Sequence, residues 1–159
     1  MSFVHRFATT LAVVVLSGII PQPADAQSIT AAGDISSPPG GPRGDRRTAD
    51  LIRRWSPTAV LALGDTQYEA GELASFRSAY DRSWGAFKAR THPAIGNHEY
   101  LAGDGAAGYF DYFGAAAGPR GLGYYSFDIG PWHLVALNSS CAQRWASSGE
   151  PPCKAVEAR

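Results

Sequence analysis

The stretch Val60-Leu61-Ala62-Leu63-Gly64-Asp65-Thr66-Gln67-Tyr68 constrains the chain most. An unbroken apolar run stops at Gly-Asp, and a phenol follows three positions after the carboxylate. Such a run reads as a strand buried on both faces, as in a parallel sheet. Gly64 permits a sharp turn, which leaves Asp65 at the carboxyl end of the strand, where open α/β sheets bind ligands. One Gly-Asp is weak information, because turns use both residues freely. Here the arrangement recurs. Ile29-Thr30-Ala31-Ala32 runs into Gly33-Asp34, and Pro93-Ala94-Ile95 runs into Gly96-Asn97-His98-Glu99. Asp34, Asp65 and Asn97 stand at intervals of 31 and 32 positions, about one βαβ unit each. Three strands would deliver three oxygen donors to one sheet edge, the arrangement of a metal site.

The donor set fixes the kind of cation. Two carboxylates, an amide oxygen and the Tyr68 phenol suit Mn, Fe, Mg or borderline Zn. Asp65, on the middle strand, is the natural bridge between two ions, flanked by Asp34 and Asn97. Such a pair can bind a phosphoryl group and acidify a water into a nucleophile. His98 is placed to protonate a leaving alkoxide or stabilise developing charge. Glu99 is expected to orient that imidazole.

Around these motifs the chain alternates. After Asp34 a Pro- and Gly-rich loop lacks the Gly-Lys-Ser/Thr ending of a P-loop. Thr48, Leu51, Ile52 and Trp55 recur at helical spacing, with Asp45 as N-cap, Pro57 as the stop and the arginines as a solvated face. Leu73, Phe76, Tyr80, Trp84 and Phe87 predict a second amphipathic helix, with a break near Gly85. Gly103-Asp104-Gly105-Ala106-Ala107-Gly108 matches the dinucleotide fingerprint by letter. It follows no convincing strand, so it reads as a flexible loop over the site. Tyr109 to Phe113 predict a short helical turn. From Tyr124 to Ile129, and from Trp132 to Asn138, two strands flank Gly130-Pro131 as a hairpin. The remaining histidines His92 and His133 read as structural.

Residues 1–26 read as a cleaved signal peptide. Arg6 precedes an apolar stretch from Phe7 to Ile20, and Ala24-Asp25-Ala26 supplies a small-x-small site before Gln27. The apolar run is short for a membrane anchor, so no stable membrane insertion is expected after cleavage. The expected location is periplasmic or extracellular. An oxidising compartment makes a Cys141–Cys153 disulfide the favoured reading of the two cysteines. The formal net charge of zero argues against nucleic acid as a partner.

Gly33-Asp34, Gly64-Asp65-x-x-Tyr68 and Gly96-Asn97-His98-Glu99, in this order, resemble the motifs of the calcineurin-like metallophosphoesterases. The purple acid phosphatase branch is the nearest analogy. Generic members carry a histidine ligand two places after the first aspartate, where this chain has Ser36. In the purple branch a tyrosine in the second motif takes its place, which Tyr68 matches. The resemblance spans residues 29–140. It implies a mixed-sheet αββα sandwich, two metal ions (Fe, Mn or Zn) held by Asp34, Asp65, Tyr68 and Asn97, and a small phosphate-ester substrate. It also implies later ligands in a Val-x-x-His-like segment and a Gly-His-x-His motif, which this sequence does not contain. Residues 27–159 are therefore expected to be the N-terminal part of such a domain, the first half of the sandwich. The alternative is an inactive fragment or a non-catalytic binding module with the same partial fold.

Overall fold

The computed structural model describes residues 27–38, 41 and 44–140. The leader at 1–26 and both cysteines lie outside the described residues. Three strands, β1 (Ile29–Ala32), β2 (Ala59–Leu63) and β3 (Thr91–Ala94), form a parallel sheet in the order β1-β2-β3. Ile29 pairs with Ala59, and Val60 with Thr91. Parallel neighbours require a crossover, and the connections supply helix. The first is α1 (Gly44–Trp55). It ends where Ser56 turns left-handed, at φ 43°, before the buried Pro57. The chain is thus mixed α/β, with its helices laid on a parallel sheet.

The second crossover departs from the expected single helix. It comprises α2 (Leu73–Ser78) and two 3-10 segments, Tyr80–Arg82 and Trp84–Arg90. The breaks fall at Ala79 and Ser83, and Gly85 lies inside the second 3-10 segment. The Gln67 side chain accepts the Tyr80 N–H through Oε1 at 3.1 Å, and Ser83 Oγ donates to the Tyr80 carbonyl at 3.2 Å. Spacing by three or four residues serves α and 3-10 turns alike, so the apolar positions still face one way. Phe76, Tyr80, Trp84 and Phe87 are all buried.

They pack with α3 (Ala107–Phe113), which contributes Tyr109, Phe110, Tyr112 and Phe113. Phe76 stacks on Tyr112 at 4.7 Å and meets Tyr80 and Phe113 edge-on, geometries that add to the area term for aromatic pairs. Gly108 sits where a Cβ would come within 2.1 Å of the Gly71 carbonyl oxygen, so the first turn of α3 lies directly on the backbone of residues 71–73. Before that turn, Asp104 Oδ1 accepts the Ala107 N–H at 3.1 Å. Gly103 and Asp104 stay exposed, and burial begins only at Ala106, the N-cap of α3.

Strand β2 corrects a second expectation. Val60 and Ala62 are fully buried beneath the aromatic cluster, but Leu61 is half-buried and Leu63 is 56% exposed. One face of the sheet is covered and the other largely open. The helical stripe on α1 is likewise split: Ala49 and Ile52 are buried, while Leu51 and Trp55 stay mainly in solvent.

On the open side lies the expected hairpin, β4 (Tyr125–Ile129) and β5 (Trp132–Ala136), paired antiparallel as a separate ladder. It docks on β3 through two rings. Phe127 stacks on His92 at 3.9 Å, and the Tyr125 hydroxyl donates to the Pro93 carbonyl at 2.9 Å. Between sheet and hairpin remains an apolar cavity of about 310 Å³ lined by Leu61, Leu63, Phe127, Leu134 and Leu137. Among the described residues no helix is long and apolar enough to cross a membrane.

Candidate metal centre

Pairing between β1 and β2 does not stop at the strand ends. Asp34 N–H donates to the Gly64 carbonyl at 3.3 Å, Ile35 to Asp65 at 3.0 Å and Ser36 to Thr66 at 3.2 Å. Tyr68 N–H then returns to the Ser36 carbonyl at 2.8 Å. The two turns therefore run side by side, and this brings Asp34, Asp65 and Tyr68 together. The Tyr68 hydroxyl donates to Asp34 Oδ1, and the hydroxyl oxygen also lies 3.5 Å from Asp65 Oδ2. Partial burial, the Asp34 hydrogen bond and the two neighbouring carboxylates push the phenol well above its ordinary pKa. It therefore keeps its proton and bridges the acids as a neutral donor. Among the described residues neither Asp34 nor Asp65 has an ion-pair partner.

The backbone at these acids is unusual. Asp34 and Asp65 both lie in the left-handed region, at φ 52° and 47°. Asp tolerates that region better than most residues, and non-glycine positions of this kind cluster at functional sites. The third turn packs tightly against the second. A Cβ on Gly96 would lie 2.2 Å from Asp65 Oδ1 and 2.3 Å from its backbone nitrogen, so only glycine fits.

That third turn delivers the remaining candidates. Asn97 is exposed and precedes a 3-10 turn, His98–Tyr100. The His98 N–H donates to Asp65 Oδ1 at 2.9 Å. Its ring lies edge-on to Tyr68, 4.3 Å between centroids, and Nδ1 is 2.5 Å from the Glu69 carbonyl oxygen. A carbonyl can only accept, so Nδ1 carries the proton and Nε2 is the nitrogen left for chemistry.

Glu99 departs from expectation. It is fully buried, and it does not orient the imidazole. Its Oε1 accepts Thr66 N–H (2.6 Å), Thr66 Oγ1–H (2.7 Å) and Gln67 N–H (3.4 Å). Its Oε2 accepts Gly96 N–H (2.8 Å) and Asp65 N–H (3.1 Å). The carbonyl of Glu69 fixes the His98 ring instead.

Sequence reasoning overlooked Gln67 and Thr66, both fully buried. The Gln67 amide donates to the Ser36 and Tyr68 carbonyls at 3.3 and 2.7 Å, and its oxygen reaches Tyr80. It ties the acidic turns to the break after α2. Nothing in the letters Thr-Gln after Gly-Asp marks them as buried, because the turn that buries them is formed by distant chain. Ser36, at the position where a histidine ligand was noted as missing, is buried with its hydroxyl unpartnered among the described residues. His92 and His133 take structural places, the first stacked on Phe127 and the second paired with Asp128 at 2.6 Å.

The donors fit a cation by their chemistry. Two acids without a cationic partner meet at one phenol. Asn97 lies exposed at the start of the turn whose His98 N–H grips Asp65, and no hydrogen bond joins its side chain to the acids among the described residues. The group consists of oxygen donors, and among the described residues no three His, Cys, Asp or Glu side chains form a metal-holding cluster. No family model matches the chain, and neither a curated protein nor a solved structure does.

Proposed function

We propose that the chain carries the first part of a two-metal phosphoesterase centre, in an exported protein of the αββα sandwich type that hydrolyses phosphate mono- or diesters. The observation that carries this reading is the convergence of Asp34 and Asp65, both left-handed and without an ion-pair partner among the described residues, on one phenol at the carboxyl edge of a parallel sheet. Asp34, Asp65, Tyr68 and Asn97 would hold the ions, with Asp65 shared. Bound there, Fe, Mn or Zn supplies Lewis acidity towards a phosphoryl group and lowers the pKa of water. The protein's own contribution is orientation and proton supply. Asp65 is gripped through Oδ1 by His98 N–H. With Nδ1–H held by the Glu69 carbonyl, it is Nε2 that would give a proton to the leaving alkoxide, from the doubly protonated imidazolium, which is left as the neutral ring.

The family resemblance assigns the other ligands to histidines in a downstream Gly-His-x-His segment. The chain alone is accordingly expected to bind Mn(II) or Zn(II) weakly and to hydrolyse p-nitrophenyl phosphate negligibly. Joined to such a segment it gains hydrolysis. Asp65→Asn abolishes both cation binding and activity, whereas His98→Ala spares binding and slows turnover by about 10²–10⁴-fold. Iron binding would displace the Tyr68 proton to solvent, so iron-loaded protein should be coloured through the phenolate and bleached by Tyr68→Phe. Cation binding unchanged in Asp65→Asn would end the proposal. A non-catalytic module of the same partial fold is the second reading, favoured by the all-oxygen donor group, and it predicts binding without hydrolysis in the extended protein.

A further inference from the structure

We propose that Glu99 is a positioning residue: its buried carboxylate clamps the turn after β2 to the turn after β3 and so sets the geometry in which Asp65 meets a cation. This rests on the metal-centre reading above for its purpose, but its geometry stands apart from any ligand.

Five donors from two different turns converge on one side chain. Asp65, Thr66 and Gln67 come from the turn after β2, and Gly96 from the turn after β3. Without an acceptor between them these N–H and O–H groups would face one another in a place sealed from water, since Thr66, Gln67 and Glu99 have no exposed surface. Buried donors left unmet are costly, so the turns would part or admit solvent. The clamp also closes on Asp65 from both ends. Glu99 Oε2 accepts its backbone N–H at 3.1 Å, while His98, one residue earlier, donates to its Oδ1 at 2.9 Å. A single 3-10 turn thus fixes both the left-handed backbone of Asp65 and the direction of its carboxylate. Space for the clamp is provided by Gly71, where a Cβ would come within 2.8 Å of the Glu99 Cα.

All five partners donate, which makes the test sharp. Glu99→Gln replaces one acceptor oxygen with an NH2 group that must point at donors, without changing side-chain length. Glu99→Asp keeps the carboxylate but is one methylene shorter, too short to reach both turns. Two quantities are measured on the full chain: Mn(II) affinity by electron paramagnetic resonance, and amide hydrogen exchange in metal-free protein. The exposed Glu72→Gln is the control and should match wild type. Glu99→Gln and Glu99→Asp are expected to weaken Mn(II) binding by about 10–100-fold, the range for groups that orient ligands. In both, the amides of Asp65, Thr66 and Gly96 should lose protection while those within β2 keep theirs.

Wild-type protein that binds Mn(II), with Glu99→Gln binding equally well, would overturn the inference and leave the metal reading standing. Wild-type protein that binds no cation would end the metal reading, and the metal-free exchange then decides the clamp: retained protection in Glu99→Gln overturns it. If Glu99→Gln does not fold, Thr66→Val removes a single hydroxyl donor. Its Mn(II) affinity should fall about tenfold, the lower end of what losing one hydrogen bond to a charged group predicts. Unchanged affinity there overturns the inference as well.

Discussion

The two faces of β2 differ by one residue of register and by almost everything else. Val60 and Ala62 point into an aromatic cluster built by α2, the 3-10 segments and α3, and neither has exposed surface. Leu61 and Leu63 are as apolar as their neighbours, yet they look into an open cleft whose far wall is a single hairpin. Composition does not separate the faces. The elements available to cover each one do. Alternation of side chains along a strand means that every residue of a given parity shares the fate of its face. The covered face carries the fold, and the open face is where further packing could still occur.

The sharpest way to break that contrast is on the covered side. Phe76 is fully buried and touches Tyr80, Tyr112 and Phe113. Phe76→Ala should cost about 3–5 kcal/mol, read as a lowered urea midpoint, because the cavity it leaves is walled by stiff rings. A cost below about 1 kcal/mol would show that the cluster is loosely packed and the faces more alike than they look.

A smaller effect is expected where the hairpin meets the open face, at His92. Burial beside Phe127 holds its imidazole below the ordinary value of about 6.5. The unfolded chain then takes up a proton before the folded chain does, so stability rises with pH through this window. The contribution of His92 is neutral above about pH 7 and unfavourable as pH falls through the unfolded value towards the folded one. Denaturant unfolding at pH 7.5 and pH 5, wild type against His92→Gln, isolates it. A wild type no more acid-sensitive than the variant would remove His92 as the hinge between sheet and hairpin.

The smallest effect belongs to the open face. Leu63→Ala should change stability by no more than about 0.5 kcal/mol, as for other exposed positions. A loss of several kcal/mol would mean that Leu63 is covered in solution, and the comparison would then need a third layer.

What could be read in the sequence followed from local rules. Apolar runs ending at Gly33, Gly64 and Gly96 located three strand ends, and the Gly130-Pro131 turn located the hairpin. The convergence of Asp34, Asp65 and Tyr68 was also legible, because parallel strands of equal polarity bring their carboxyl ends to one edge. What was not legible depended on partners distant in the chain. Whether Leu61 and Leu63 are buried depends on what lies across from them, which the residues themselves do not encode. The break at Ala79 involves Gln67, and the role of Glu99 depends on amides more than thirty positions away. The letters His98-Glu99 suggested an acid beside an imidazole, but neighbours along a tight turn point in different directions.

The left-handed backbones of Asp34 and Asp65 have a consequence for how these positions would look under random mutagenesis. Shape narrows the alphabet before chemistry does. Gly, Asn and Asp enter that conformation readily, and other residues pay roughly 1 kcal/mol or more to do so. A library screened for folding alone would therefore keep those three at both sites, and Glu would be lost despite its carboxylate. Enrichment of Asp over alanine there would reveal nothing about cations. Only the contest between Asp and Asn, matched in shape and different in charge, distinguishes a position kept for its turn from one kept for its ligand.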